Sequence, residues 1–345
     1  MDKRNTIIES LGIYLPPKIV STAEVISGCT NRVLFPLEQF SGIKHRHVVG
    51  EAEFSIDLAK RAIENCLAGS KYNPPDIDLL ICCNISRFDG PNLVSFEPCT
   101  SIKLKKHFGF DHALVFDISN ACPGLFTAIH IVDAFLQTCT ARVAMVVSGE
   151  YITHLTKTAQ KEIDGFLDPR LACLTLGDAG AAIILEQASG SAVGFHAIEM
   201  YTVGRHCSCC VAKATDQPHG GAIMITDSIK LSAVTLQRAI QHTVQVMEQN
   251  NWPSDGFEHL IMHQTSIKTL TDATHEINCL HGKQICNDQN VVYNLAERGN
   301  TATTSHFVAL RDRILSNGIK TGDRVLFSVT GSGVGLNMLM TRRLS

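Results

Sequence analysis

Apolar residues along this chain fall into short continuous runs separated by stretches with helical spacing. The run Ala113 to Phe116 reads as a buried strand, and Leu125 to Leu136 as a helix. Strand-like and helical segments alternate in this way along the length, which predicts α/β layering. The pattern also repeats. Ile77-Asp78-Leu79-Leu80-Ile81-Cys82-Cys83-Asn84-Ile85-Ser86 is echoed by Phe257-Glu258-His259-Leu260-Ile261-Met262-His263-Gln264-Thr265-Ser266. Each is a strand that ends in polar residues. Ala141 to Glu150 is echoed in the same way by Asp323 to Ser332. Two related halves account for both echoes. Their boundary is expected near Gln187 to Ala192, after the strand Ala181 to Leu185, dividing residues 1–188 from residues 189–345.

The 345 residues are 45% apolar and 18% charged, enough to bury a core in one large domain or two closely packed halves. A net charge of −3 argues against an obligate nucleic-acid binder. Met1-Asp2-Lys3-Arg4-Asn5 runs straight into a strand-like stretch, so no signal peptide is expected. No apolar run approaches the ~20 residues of a membrane span. Thirteen cysteines without a secretory signal predict reduced thiols in the cytoplasm. Arg205-His206-Cys207-Ser208-Cys209-Cys210, with His219 nearby, lacks the spacing of zinc sites and reads as a loop, so no metal is expected.

Candidate chemistry centres on Phe116-Asp117-Ile118-Ser119-Asn120-Ala121-Cys122-Pro123-Gly124-Leu125. A strand, a small-residue elbow and a helix place Cys122 at a helix N-terminus, where the helix dipole favours the thiolate that attacks thioesters. Pro123 suits the first helical turn. Most of the other cysteines are expected to be small core residues. Far downstream, His263 closes an apolar strand, and Asn300 lies in a loop that opens onto a helix, a place where Asn is also a common N-cap. Thr330-Gly331-Ser332-Gly333-Val334-Gly335-Leu336 is followed by too little chain for a nucleotide fold. It reads as a turn that brings backbone N–H groups to a reacting centre.

Together these pieces resemble the thiolase superfamily, and within it the ketoacyl-acyl-carrier-protein synthase III branch. The likeness also takes in Leu11-Gly12-Ile13-Tyr14-Leu15-Pro16, Ser41-Gly42-Ile43-Lys44-His45-Arg46-His47 and Leu176-Gly177-Asp178-Ala179-Gly180-Ala181-Ala182. It implies the thiolase fold, a five-layered αβαβα sandwich of two pseudo-equivalent halves with the active site between them, in a homodimer. It implies that Cys122 takes an acyl group from a thioester, while His263 and Asn300 hydrogen-bond the second thioester and stabilise its enolate. The N–H groups of Cys122 and Ser332 would form the oxyanion hole. The substrates implied are CoA or acyl-carrier-protein thioesters, with no further cofactor. Arg170 matches a CoA-contacting Arg and Lys268 a basic residue of the carrier-docking helix. Pro36 and Phe40 stand where the family has the Trp and Arg that sandwich the adenine, and Ser266 replaces an Asn.

Ser95-Phe96-Glu97-Pro98-Cys99 departs from the branch, which has a Phe at the position of Glu97. Glu-Pro here resembles the head-to-head, olefin-type condensing enzymes and those that form alkylresorcinols and cyclic diones, as does Met224-Ile225-Thr226-Asp227-Ser228. By that likeness Glu97 serves as a base from the partner subunit. The function implied is Claisen condensation in fatty-acid-derived secondary metabolism. Two alternatives are acyl transfer to an oxygen or nitrogen nucleophile, and a non-catalytic partner subunit.

Overall fold

The computed structural model describes residues 4–91, 93–252, 257–320, 322–332 and 334–341, with backbone alone for Leu93, Thr235 and 334–341. Two sheets form its frame. The first runs in the order Thr6–Tyr14, Ala179–Gln187, Val143–Glu150, Leu79–Cys82, Leu114–Asp117. The second runs Gly194–Thr202, Val334–Thr341, Arg324–Gly331, His259–Met262. In each, the first two junctions are antiparallel and the third is parallel. The first sheet adds Leu114–Asp117 in parallel, and the second keeps only a parallel bridge between Leu260 and Val291 at that place. The paired sequence echoes therefore fall on equivalent strands.

The strands are apolar on both faces because both faces are covered. Leu79, Ile81, Ala144, Val146, Ile183, Ile261, Val325 and Phe327 face one shared core with the helices Gly124–Gln137 and Ser305–Leu315. Their alternate neighbours Leu80, Met145 and Ile184 pack under the outer helix Ser55–Ala68, and Leu260 and Leu326 lie with Ile240, Leu270 and Ile277 of the outer helices Ser228–Gln249 and Ile267–His281. With Thr100–Phe108 beside Ser55–Ala68 in the first outer layer, helix pair, sheet, helix pair, sheet and helix pair make five layers. All thirteen cysteines are unbridged. Among the described residues no helix is long and apolar enough to cross a membrane.

Gly149 shows how tightly the outer layer sits. A Cβ there would lie 2.1 Å from the Ser55 carbonyl oxygen and 2.5 Å from the Ala59 nitrogen. Backbone cannot yield as a flexible side chain can, so Gly149→Ala is expected to cost roughly 3 kcal/mol or more. Chemical denaturation of the variant checks this, and a wild-type midpoint would contradict the packing described.

One strand differs from expectation. Leu114–Asp117 lies at the sheet edge and is only partly covered, with Leu114 53% exposed. The run is as apolar as its neighbours, but nothing among the described residues pairs with its outer side.

Candidate active site

Cys122 sits on a sharp elbow. The Asp117 carboxylate accepts from the Thr100 and Ser101 N–H groups, both at 2.9 Å, which anchors the strand end to the helix Thr100–Phe108. Ile118 then donates to the Cys82 carbonyl at 2.9 Å, the last link to the sheet. Ala121 turns the chain with φ +48°, a left-handed conformation that costs a non-glycine residue on the order of 1 kcal/mol. Pro123 is the N-cap of Gly124–Gln137, and Asn120 Nδ2 steadies the turn by donating to Thr127 Oγ1 at 2.7 Å. The backbone thus fixes where the thiol can go.

The second half supplies the partners. His263 follows the strand His259–Met262 and is buried; Gln264 locks that strand end by donating to the Met262 and Val292 carbonyls at 2.9 and 3.1 Å. Asn300 is pinned to the first half, its N–H donating to Thr175 and its carbonyl accepting from Gly177, both at 3.0 Å. His263 Nε2 lies 3.2 Å from Asn300 Oδ1, which also accepts from the Ala302 N–H at 3.0 Å. Asn300 Nδ2 is left without a partner among the described residues. Ala302, like Ala121, is left-handed, with φ +54°, and like Ala121 it stands three residues before a central helix.

Thr330 and Gly331 join the two sets. The Thr330 carbonyl lies within reach of the His263 ring and favours its protonated form. A Cβ on Gly331 would lie 2.5 Å from Pro123 Cδ and 3.3 Å from Cys122 Cβ, so only glycine lets this strand end reach the elbow. One strand end therefore borders Cys122 through Gly331 and, through Thr330, the His263–Asn300 pair.

The electrostatics correct the expected thiolate. Cys122 is half-buried as a residue, yet its thiol is enclosed densely enough that burial pushes it up to about 12, with Cys210 and Glu150 adding to the rise. The loss of hydration outweighs the helix terminus. Burial pushes His263 down to about 4, although Asn300 and Thr330, both acceptors, pull it the other way. The resting pair is therefore neutral thiol and neutral imidazole. Glu150 is fully buried beneath the elbow and accepts from the Ile85 N–H (3.0 Å), the Ser86 N–H (3.3 Å), Ser148 Oγ (2.9 Å) and Thr303 Oγ1 (2.7 Å). Burial raises its pKa, which those donors hold in check.

Known proteins bear on this cluster. Family models for 3-oxoacyl-[acyl-carrier-protein] synthase III match residues 116–204, and its C-terminal part residues 247–342, together more than half of the chain. The chain belongs to the synthase III family. Beta-ketoacyl-[acyl-carrier-protein] synthase III of Sulfurimonas denitrificans is 23% identical, over 94% of this chain and 94% of that protein. Its namesake from Rickettsia felis is 26% identical, over 94% and 95%. Among solved structures, the synthase III of Aquifex aeolicus superposes with a TM-score of 0.82 at 21% identity, covering 97% and 99%. A variant of Xanthomonas campestris OleA gives 0.81 at 21%, covering 99% of both. These structures establish the thiolase fold.

Of the other residues implied by the resemblances, Ser332 adjoins Cys122 and His263, while Glu97, Arg170 and Lys268 lie outside this group. Ser332 follows Gly331 in the turn between the last two strands, and Gly333 falls outside the described residues. Glu97 is exposed on the loop before Thr100–Phe108, beside Phe96 at 80% exposure, and has no hydrogen bond or ion pair among the described residues. Within one chain it is not part of the site. Arg170 is engaged by Asp168 (2.6 Å) and Glu162 (3.3 Å), which raise its pKa. Lys268 is exposed on the first turn of Ile267–His281 and pairs with Asp272 at 2.9 Å. Pro36 lines an open cleft of about 460 Å3 with Phe35, Glu38 and Lys44; exposed Phe40 packs on Phe35, their ring centroids 5.2 Å apart. The segment read as a thiol-bearing loop is a short helical stretch, Gly204–Cys209, leading into the hairpin Cys210–Ala214 and Ala222–Thr226. Among the described residues no group of three His, Cys, Asp or Glu side chains could hold a metal.

Sequence reasoning passed over His306, whose ring stacks on His263 with centroids 5.4 Å apart and planes at 23°. The one signal was a histidine directly ahead of the apolar run Phe307 to Leu310.

Proposed function

We propose that this protein is a ketosynthase that forms a carbon–carbon bond by Claisen condensation. What carries the reading is the convergence of Cys122, His263 and Asn300 on the Thr330–Gly331 strand end. In the first step the Cys122 sulfur attacks an acyl thioester, the new thioester forms on Cys122, and the carrier thiol leaves with the thiol's proton. Because the resting thiol is neutral, that proton needs a way station, and His263 is the base at hand. The N–H groups of Cys122 and Ser332 receive the oxyanion.

In the second step, an acyl or β-ketoacyl thioester presents its carbonyl to His263 and to Asn300 Nδ2. Its α-carbon, freed of a proton or of carbon dioxide, attacks the acyl group, and Cys122 leaves as the thiol. Preorganised donors in a dry site favour the enolate over its parent thioester. By the family likeness CoA or an acyl carrier protein would deliver the acyl group, meeting Arg170 and Lys268, and no further cofactor is invoked.

A homodimer would complete the site. The bare edge strand Leu114–Asp117 and the exposed Val94, Phe96 and Ile102 near it (43%, 80% and 46%) offer an apolar seam to a second copy. That copy's loop would present Glu97 as base for the α-proton, giving a non-standard product of fatty-acid-derived secondary metabolism in the cytoplasm. Glu97→Gln is then expected to slow turnover about 100-fold, within the usual range for a general base, while loading stays near wild type. Turnover equal to wild type would remove Glu97 from the mechanism.

The test of the whole reading is intact-protein mass spectrometry with a panel of acyl-CoA and acyl-carrier thioesters, followed by addition of a second thioester. A mass gain on Cys122 that disappears as a β-keto product forms is the expected result. A gain discharged only to an alcohol or amine would make the protein an acyltransferase, and no gain would make it a non-catalytic subunit.

A further inference from the structure

His306 is the second residue of the helix Ser305–Leu315 and is completely buried. Its ring lies between His263, stacked at 5.4 Å, and Phe126 of the cysteine-bearing helix, packed at 84° with centroids 5.1 Å apart. Phe307 and Phe327 complete the surroundings, both within stacking or tilted contact of Phe126. Neither ring nitrogen of His306 makes a well-formed hydrogen bond, although the Ser328 carbonyl lies in looser reach. A buried polar atom left unpaired costs about 1–3 kcal/mol, so an aliphatic side chain would be more stable in this packing. The arrangement makes sense through its neighbour.

We propose that His306 is a positioning residue for His263: its neutral ring face is the platform that holds His263 in plane and supports its protonated form. A cation over an aromatic face is attracted to it, and an offset stack at this separation is a stable ring geometry. Asn300 Oδ1 and the Thr330 carbonyl, at the ring's polar atoms, also favour a protonated His263. His306 can serve only if it stays neutral. Burial and the proton on His263 both press its pKa far below the usual histidine value. The other titratable groups at this place act on the thiol: Glu150 at the end of Val143–Glu150, and Cys210 at the start of Cys210–Ala214. Supporting the imidazolium at His263 thereby supports the thiolate at Cys122 during proton transfer.

The role of His263 as the base for Cys122 rests on the function proposed above, but the test needs no thioester. Alkylation of Cys122 by iodoacetamide, followed by peptide mass spectrometry across pH, reads the thiolate directly. His306→Leu fills the space, removes the aromatic face and removes both unpaired nitrogens. Its alkylation at pH 7.5 is expected to be about threefold slower than wild type, the loss that a cation–π contact of ordinary strength to the forming imidazolium produces. The melting temperature should equal or exceed wild type. His306→Phe, which restores a flat ring face, should recover most of the rate. The proposal is overturned if His306→Leu alkylates as fast as wild type, if His306→Phe is as slow as His306→Leu, or if His306→Leu melts several degrees lower. Failure of wild type to load any thioester would refute the ketosynthase reading and leave this comparison intact.

Discussion

Cys122→Ser is expected to abolish acyl loading, by roughly 10⁴-fold or more, because it removes the proposed nucleophile on which every later step depends. A hydroxyl is a poorer nucleophile than a thiol at any pH near neutral, and the site gives it no extra help. Burial already pushes the Cys122 thiol up to about 12, and a serine there would meet the same desolvation with a higher starting pKa. The Ala121 turn would place the serine oxygen close to where the sulfur was, so a folded but silent protein is the expected outcome. Intact mass after incubation with thioesters, alongside a melting curve, measures both. Persistent loading would mean that another of the thirteen cysteines carries the acyl group. Between the His263 pKa of about 4 and the thiol pKa of about 12 both groups stay neutral, so loading assisted by His263 should stay level from pH 6 to pH 9, whereas a tenfold rise per unit would mean attack by free thiolate without His263.

Asn300→Ala should leave loading within a fewfold of wild type and lower condensation by about 10²–10³, the usual cost of one lost oxyanion donor. The two steps separate because, in the mechanism proposed, Asn300 meets the second substrate, not the first. Its Oδ1 is already committed to His263 and the Ala302 N–H, and Nδ2 is the atom left to donate. Asn300→Asp sharpens the test. It keeps an acceptor for His263 and Ala302, removes the donor, and sets a negative charge against a forming enolate. It should therefore fail at condensation as badly as alanine. Single-turnover assays on pre-acylated enzyme give the answer. Unchanged condensation in both variants would move the enolate's support elsewhere and favour simple acyl transfer.

The layered fold was legible because strands buried on both faces must be apolar throughout, and both strand echoes could be read as such. The cysteine elbow was legible for a similar reason: small residues between an apolar strand and an apolar-periodic helix leave few other conformations. Charge was not. Whether a helix terminus or desolvation governs Cys122 depends on everything packed around it, including Cys210 and Glu150 from remote segments. The partial exposure of Leu114–Asp117 could not be seen either, since an edge strand and a central one have the same composition until the sheet order is known. His306 escaped because a lone histidine beside Phe307 reads as core. Its contact with His263 exists only once the second half has closed on itself. Arg170 matched a family position, but its engagement by Asp168 and Glu162 is a matter of local geometry.

The two left-handed alanines have one more consequence. Cys122 follows Ala121 and Thr303 follows Ala302, so this cysteine and this threonine occupy matching places in the two halves. The elbows meet, for a Cβ on Gly124 would lie 3.2 Å from Thr303 Cγ2. A single half pairing with its own copy would set two identical elbows face to face about a twofold axis. Fusing the copies into one polypeptide breaks that equality and lets each elbow specialise. Here one carries the thiol. The other turns its hydroxyl into a strut on Glu150 and Ser148, both at 2.7 Å, and offers an amide just upstream at Asn300. The asymmetry of the reaction, one acyl group held and one enolate attacking, is thus built on a frame whose own symmetry would have supplied two of each.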